Sequence, residues 1–408
     1  MVEAISRHGY EGVTVRQVIG LAGVSRRSFY EHFDNRHDCF LKTARAIARR
    51  ELRQARDASS AQEGAADAAL AAGLASIAAA ARERPDSLRL VLCHCLAAGE
   101  QGAALLVGTL GASERMLSET LAPGPGSALH PPIVRALAGA LHGMLEAALD
   151  ARGARSPGAL AGAMTAIALA LRISERDRAA AELAGSLRAR ARLVALGASR
   201  RSGPPSEPAD TRDRMLLSAM RLAARQHVAQ LSMPQIADAA GVPVDAFLAA
   251  FGSTQFCLEE ALARSGEQLL QIAYRAEHAG GDWPQATRLA LAGMLGHLAA
   301  HPVQARALAL VAHGAGETAR RGGQELNVAL GTALTRGAGA DGLTAPAAAG
   351  AFWHTVRHAL LAERGVMLAA FSDHLAYVIL APAIGTEAAI AALRGPASGA
   401  GSGARRSA

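Results

Sequence analysis

The chain has 408 residues, a formal net charge of +7 and a pI near 9.9; half of it is hydrophobic and only 3% aromatic. That length exceeds one small domain and suggests two to four, while the weight of alanine and the scarcity of β-branched runs favour helix nearly throughout, so an all-α protein is expected. Four cysteines without CxxC spacing and no apolar leader ending in a cleavage site fit a reduced, cytoplasmic protein, and no apolar run reaches the roughly 18–20 residues of a membrane span.

Positive charge permits nucleic-acid binding without establishing it, because Lys42 is the only lysine and the rest is arginine. In chain order, Thr14 is placed to cap a short helix whose inward positions are Val15, Val18, Ile19 and Ala22. Gly23 then supplies a tight turn, Val24 fills the angle, Ser25 caps a second helix, and Phe29 and Phe33, four apart, anchor its inner face. Arg26, Arg27, Ser28, Tyr30 and His32 are left for the outer and flanking faces. This is the pattern of a helix-turn-helix, whose second helix enters the major groove. Arg45, Arg49, Arg50 and Arg53 follow at helical spacing and read as a solvated face.

A head at 1–53 is followed by a helical body at 54–196, in which Cys93-His94-Cys95 reads as core: on a helix, neighbours two apart diverge and cannot share an ion. The stretch 197–210, GASRRSGPPSEPAD, is a linker by composition. A shift of about 218 positions then aligns Thr14–Ala44 with Ser232–Leu262 without a gap. Gln17, Ala22, Gly23, Val24, Phe29, Phe33 and Cys39 recur as Gln235, Ala240, Gly241, Val242, Phe247, Phe251 and Cys257. A second head is therefore expected at 211–268, a second body at 269–394 and a disordered tail at 395–408.

The run Thr-x-x-x-Val-x-x-x-Ala-Gly-Val-Ser-x-x-x-Phe-Tyr-x-His-Phe, followed by DNRHDC and a new helix, resembles the TetR family of transcriptional regulators over Ile5–Ala46. The resemblance implies a three-helix DNA-binding head, a larger effector-binding body and dimerisation through the last two helices of that body. Carried over to this sequence, it implies phosphate contacts at Thr14, Tyr30, His32 and Arg36, and base or nearby backbone contacts at Arg16, Arg26, Arg27 and Ser28, with Ser25 at the helix start. The family's opening helix normally starts well before the position of Met1; TRDRMLLSAMRLAARQ, from Thr211, supplies the fuller version. Either the start codon is miscalled or the first head has a shortened helix that exposes its partner residues.

The second copy keeps the inner face and loses the outer chemistry. Arg26-Arg27-Ser28 becomes Val244-Asp245-Ala246, Tyr30 becomes Leu248, His32 becomes Ala250, Arg36 becomes Thr254 and Ser25 becomes Pro243. Met1–Arg53 holds ten basic and six acidic residues, Glu207–Gln268 five and eight. DNA reading is thus expected of the first copy, and a structural or non-DNA role of the second.

His94, Met116, His142 and Met144 in one body, and Trp353, His354, His358 and Phe371 in the other, are candidates for lining effector pockets, with core packing an equal explanation. No phosphate-cradling loop, HExxH or GxSxG is present, so no enzymatic activity, cofactor or metal is expected. The sequence thus supports a ligand-responsive regulator, a repressor in its leading form. Its partners would be double-stranded operator DNA, a small apolar or amphipathic effector, and an internal pseudo-dimer or homodimer. The alternative is a ligand- or partner-binding module that no longer binds DNA.

Overall fold

Helix starts along the chain are marked by short polar side chains. Thr14, Ser25, Asn35, Ser156, Asp210, Ser232, Ser253 and Asp282 each accept a hydrogen bond from a backbone N–H in the turn that follows, satisfying a donor that the helix leaves free. The computed structural model describes residues 1–62, 66–121, 130–150, 156–171, 210–226, 228–279, 281–339 and 344–394, and every regular element among them is helical. The expected linker, apart from Asp210, and the expected tail lie outside the described residues, as does the end of the first body from 172 to 196.

The first half runs α1 (Val2–Gly12), α2 (Val15–Ala22), α3 (Arg26–His32), α4 (Arg36–Ser60), α5 (Ala66–Glu83), α6 (Pro85–Leu92), α7 (Gly99–Leu121), α8 (Pro131–Asp150) and α9 (Pro157–Ala170). The second runs α10 (Thr211–Ala223), α11 (Met233–Ala240), α12 (Val244–Phe251), α13 (Thr254–His278), α14 (Trp283–Ala300), α15 (Pro302–Arg306), α16 (Glu317–Thr335), α17 (Ala345–Leu361), α18 (Ser372–Ile384) and α19 (Thr386–Arg394). Long and short helices follow the same order in α1–α9 and α10–α18. The packing follows suit: α4 lies on α5 as α13 lies on α14, and α5 on α9 as α14 on α18. At 25 residues, α4 and α13 are each about 37 Å long and join a head to a body.

The two halves meet most extensively where α8 crosses α17. Glycine makes that crossing close. A Cβ on Gly350 would lie 2.2 Å from the Gly139 carbonyl oxygen, and one on Gly143 would lie 2.1 Å from the carbonyl oxygen of Pro346. Around this crossing the seam is polar: His354 Nε2 lies 3.0 Å from Glu114, Arg135 pairs with the same carboxylate at 3.5 Å, and Arg306 reaches Glu100 at 3.2 Å.

Two expectations need correction. The stretch Gly365–Ile384 is, by length and composition, long and apolar enough to cross a membrane. Here it is a 3-10 turn over Gly365–Phe371 followed by α18, packed on α14 and α8. Its Asp373 is buried in an ion pair with Arg288 of α14 at 3.1 Å, an arrangement suited to a protein core. The Cys93-His94-Cys95 triplet lies beyond α6 in a turn rather than inside a helix, because α6 ends at Leu92.

Because backbone faces backbone at the crossing, Gly350→Ala is expected to lower stability by about 3 kcal/mol. Gly108→Ala, on α7 where an added Cβ meets nothing within 4 Å, should instead raise it by up to about 1 kcal/mol. Urea unfolding of both variants checks the opposed signs.

His142 of α8 is buried beside the crossing, and burial, with Arg357 and His354 nearby, pushes its pKa down to about 3. A histidine lowered on folding leaves stability intact above its unfolded value, near 6.5, and removes it as pH falls from there toward 3. Between about pH 7.5 and pH 5.5 the protein should therefore lose about 1.4 kcal/mol more in urea unfolding than His142→Gln does. Equal losses would mean that His142 can charge in place.

Candidate nucleic-acid interface

The first head is built on one reciprocal cap, one simple cap and a left-handed glycine. Thr14 Oγ1 accepts from the Gln17 N–H at 3.3 Å while the Gln17 side chain accepts from the Thr14 N–H at 2.7 Å. Gly23 closes α2 at φ 66°, a value that favours glycine. Ser25 Oγ accepts from the Ser28 N–H at 3.0 Å and starts α3. Phe29 is buried and Phe33 half-buried beneath.

On the opposite side of α3, Arg26, Arg27, Tyr30 and His32 are exposed, and Ser28 half-exposed. Arg26 lies over the Tyr30 ring at 5.7 Å, an i,i+4 pair that leaves the tyrosine 46% exposed. Arg27 pairs with Glu31 at 3.2 Å but stays almost fully solvated, so the contact is weak and readily exchanged. Thr14 and Arg16 are exposed at the start of α2. These side chains, with the N-terminal ends of α2 and α3, form a cationic, donor-rich surface of the kind that holds phosphate and meets base edges.

Arg36, expected at phosphate, also has a place inside the head. Its Nη1 donates to the carbonyls of Tyr10 at 2.6 Å, Val13 at 3.0 Å and Glu11 at 3.2 Å, and its guanidinium lies 4.8 Å from the centre of the Tyr10 ring. It ties the end of α1 to the start of α4. Tyr10 Oη also meets His37 Nδ1 at 2.6 Å, and His37 Nε2 meets Gln101 of α7 at 3.1 Å, which links head to body. Nothing in the sequence announced that link, since Gln101 is 64 residues from His37.

Val24 does not fill the angle between α2 and α3: it is 43% exposed, and Ala22 is exposed beside it. The second head differs. There Arg214 Nε donates to the Ala240 carbonyl at 3.2 Å, and Arg212 donates to the Ala250 carbonyl at 3.1 Å while lying 4.3 Å from the Phe251 ring centre. Ala240 and Phe251 are buried accordingly. In the first head Lys42 of α4 takes the part of Arg212, donating to the His32 carbonyl at 3.0 Å and lying 5.6 Å from the Phe33 ring centre.

α11 and α12 repeat the framework: Ser232 and Gln235 form the same reciprocal cap, and Gly241 again takes φ 66°. The outer face differs. Val244, Asp245 and Leu248 are exposed where Arg26, Arg27 and Tyr30 stand in α3, and Pro243 offers no side-chain cap.

Residues 2–43 match the family of bacterial regulatory proteins, tetR family. The amino-terminal head is thus similar to the DNA-binding head of the TetR family. The match spans the whole of α1–α3 and the first turns of α4, the segment whose geometry is described above. None of the curated proteins matches the chain. TetR regulators are DNA-binding helix-turn-helix proteins, and α3 stands at the place of the second helix of that motif.

The candidate effector residues separate into two groups. Met116 and His142 line a small apolar cavity of about 70 Å³ enclosed by α4–α9, with Glu51 of α4 in its wall. Burial opposes the charge of Glu51, but bonds from Arg84 at 2.9 Å and Arg50 at 2.6 Å hold its carboxyl below the usual range. Trp353 lines a larger cleft of about 660 Å³ in the second body. Met144 is core, and Phe371 packs half-buried beside His374. His94, His354 and His358 line neither space. His94 is lowered by burial, then by Arg320 of the other half; His358 is pushed down to about 4 by burial, then by Arg135. These three belong to the seam between the halves.

Arg36→Met should weaken the tie between α1 and α4 by about 2 kcal/mol, several carbonyls losing a charged donor at once. Faster amide exchange in those helices, with α10–α13 unchanged, is the expected reading; unaltered exchange in α1 would show the clamp idle.

Proposed function

We propose that the protein is a ligand-responsive transcriptional repressor that reads double-stranded operator DNA through α3. It is built from two TetR-like units fused in one chain, whose bodies pair as an internal pseudo-dimer. One contrast carries this reading: two heads share capping, turn and inner aromatic residues, yet only one presents Arg26, Arg27 and Tyr30, while the other presents Val244, Asp245 and Leu248. Framework kept without surface chemistry makes the second head a structural support. The parallel order of α1–α9 and α10–α18, and the α8–α17 crossing, support the fusion and the internal pairing.

Contacts to DNA fall to Thr14, Arg16, Ser25, Arg26, Arg27, Ser28, Tyr30 and His32, with Arg36 holding the head together behind them. A small apolar effector in the cavity beside α4 acts on the head through that helix, which carries both Glu51 in the cavity wall and His37 at the head. Ligand and operator compete because each favours a different setting of α4, to the extent of the ligand's differential affinity. The seam occupies the surface through which TetR bodies ordinarily pair, so each chain offers one competent head to one half-site. Nothing in this scheme requires a membrane, and it fits a cytoplasmic protein.

The decisive experiment is a gel shift with the DNA upstream of the protein's own gene. Joint substitution of Arg26→Ala and Arg27→Ala should abolish the specific shift, and Asp245→Ala should leave it within about twofold. Wild-type binding should also fall steeply with salt through counterion release. The exposed Leu21, Ala22 and Val24 favour a second reading, a module that binds a partner rather than DNA. Absence of any salt-sensitive shift would decide for it, and equal losses from both substitutions would overturn the division of labour between the heads.

A further inference from the structure

Three groups converge behind the cleft of the second body. Arg357 of α17 is 5% exposed and Trp353, one turn before it, is 3% exposed; both line the cleft and also a pocket of about 110 Å³ behind it, against α8. Trp353 Nε1 is shielded from solvent and has no acceptor, although an indole N–H normally finds one when buried. Arg357 uses its Nε on the Ala309 carbonyl at 3.0 Å. Ala309 lies in a π-helical turn over Ala307–Val311, a local distortion often found at functional sites. His313, on the cleft wall, also has a shielded nitrogen, Nδ1, without a partner.

The charge balance at this place is incomplete. Burial lowers Arg357 only to about 10, so it stays cationic at neutral pH. Its carboxylate neighbour Glu146 is raised to about 7 by burial against the pull of Arg357, with Asp150 adding to the rise. Raised in this way, Glu146 offsets the guanidinium less than an ordinary carboxylate would. A buried cation and an orphaned N–H donor both call for an acceptor. Outward from them the cleft is lined by Leu262, Leu270, Leu308 and Leu326, and towards solvent by the exposed Glu267, Glu325 and Arg321 and the half-buried Glu259 and Glu260, of which Glu260 is held by Arg212 at 2.5 Å and Arg264 at 2.9 Å. Solvent screens those outer charges far more than it screens Arg357.

We propose that the cleft of the second body binds a small amphipathic carboxylate, its carboxylate accepting from Trp353 Nε1 and the Arg357 guanidinium and its apolar chain lying along the leucines. The site deepens the reading of that body as ligand-holding and names the class of ligand. His142 lines both the rear pocket and the apolar cavity of the first body, so an occupant here lies one side chain away from the space beside α4.

Calorimetry on the full chain with octanoate, 1-octanol and octylamine tests this. Octanoate should bind and shift the Trp353 fluorescence, with the alcohol and the amine at least about tenfold weaker. Trp353→Phe, which removes the N–H and keeps an aromatic ring, should weaken octanoate about tenfold; Arg357→Met should abolish its binding. Where Arg357→Met does not fold, Trp353→Phe decides. Equal affinity for the alcohol, a preference for the amine, no octanoate binding, or an unchanged Trp353→Phe overturns the proposal. These measurements need no DNA, so their failure leaves the operator reading standing, and failure of the gel shift leaves the octanoate result untouched.

Discussion

Two backbones in contact, α8 and α17, set the geometry of the whole molecule. Only glycine permits the approach: at Gly139, Gly143 and Gly350 a single extra carbon would run into a carbonyl or a Cα of the opposite helix. Close approach brings long stretches of both helices out of water. It also forces the polar side chains that flank the glycines into the interior, where they must find one another. Glu114 with His354 and Arg135, and Glu146 near Arg357, are the result. The seam is therefore tightly packed and electrostatically sensitive, and the spaces proposed for ligands lie against it.

The two heads show how one helical framework can carry different surfaces. Capping residues, the left-handed glycine and the inner aromatic pair determine whether three short helices assemble, and they recur in both. Arginine, tyrosine and histidine on the outer face contribute little to that assembly, and the second head assembles with valine, aspartate, leucine and alanine in their places. The reverse trade appears at α1. The first head carries the richer outer face but leaves Ala22 and Val24 open, while the second covers the matching Ala240 with Arg214.

The sequence made the helical class, the head and its caps legible because those depend on local rules: a capping side chain, a glycine at positive φ, apolar residues four apart. The residues of the outer face of α3 followed from the same periodicity. The clamp made by Arg36 was not legible, because a motif position says nothing of three carbonyls folded back from α1. Of the candidate pocket residues, Met116, His142 and Trp353 reached cavities. His94, His354 and His358 went to a seam between segments more than 200 residues apart in places, which periodicity cannot register. Apolar length alone also misleads at Gly365–Ile384, where a buried ion pair marks the stretch as core.

Because α8 and α17 belong to one polypeptide, their pairing is a unimolecular event. An ordinary two-subunit protein separates on dilution, and its folded population depends on how many copies are present. Here the partner arrives tethered, at an effective concentration that cellular abundance does not alter. A seam of this kind stays closed at a few molecules per cell, and substitutions that loosen it act on folding rather than on assembly.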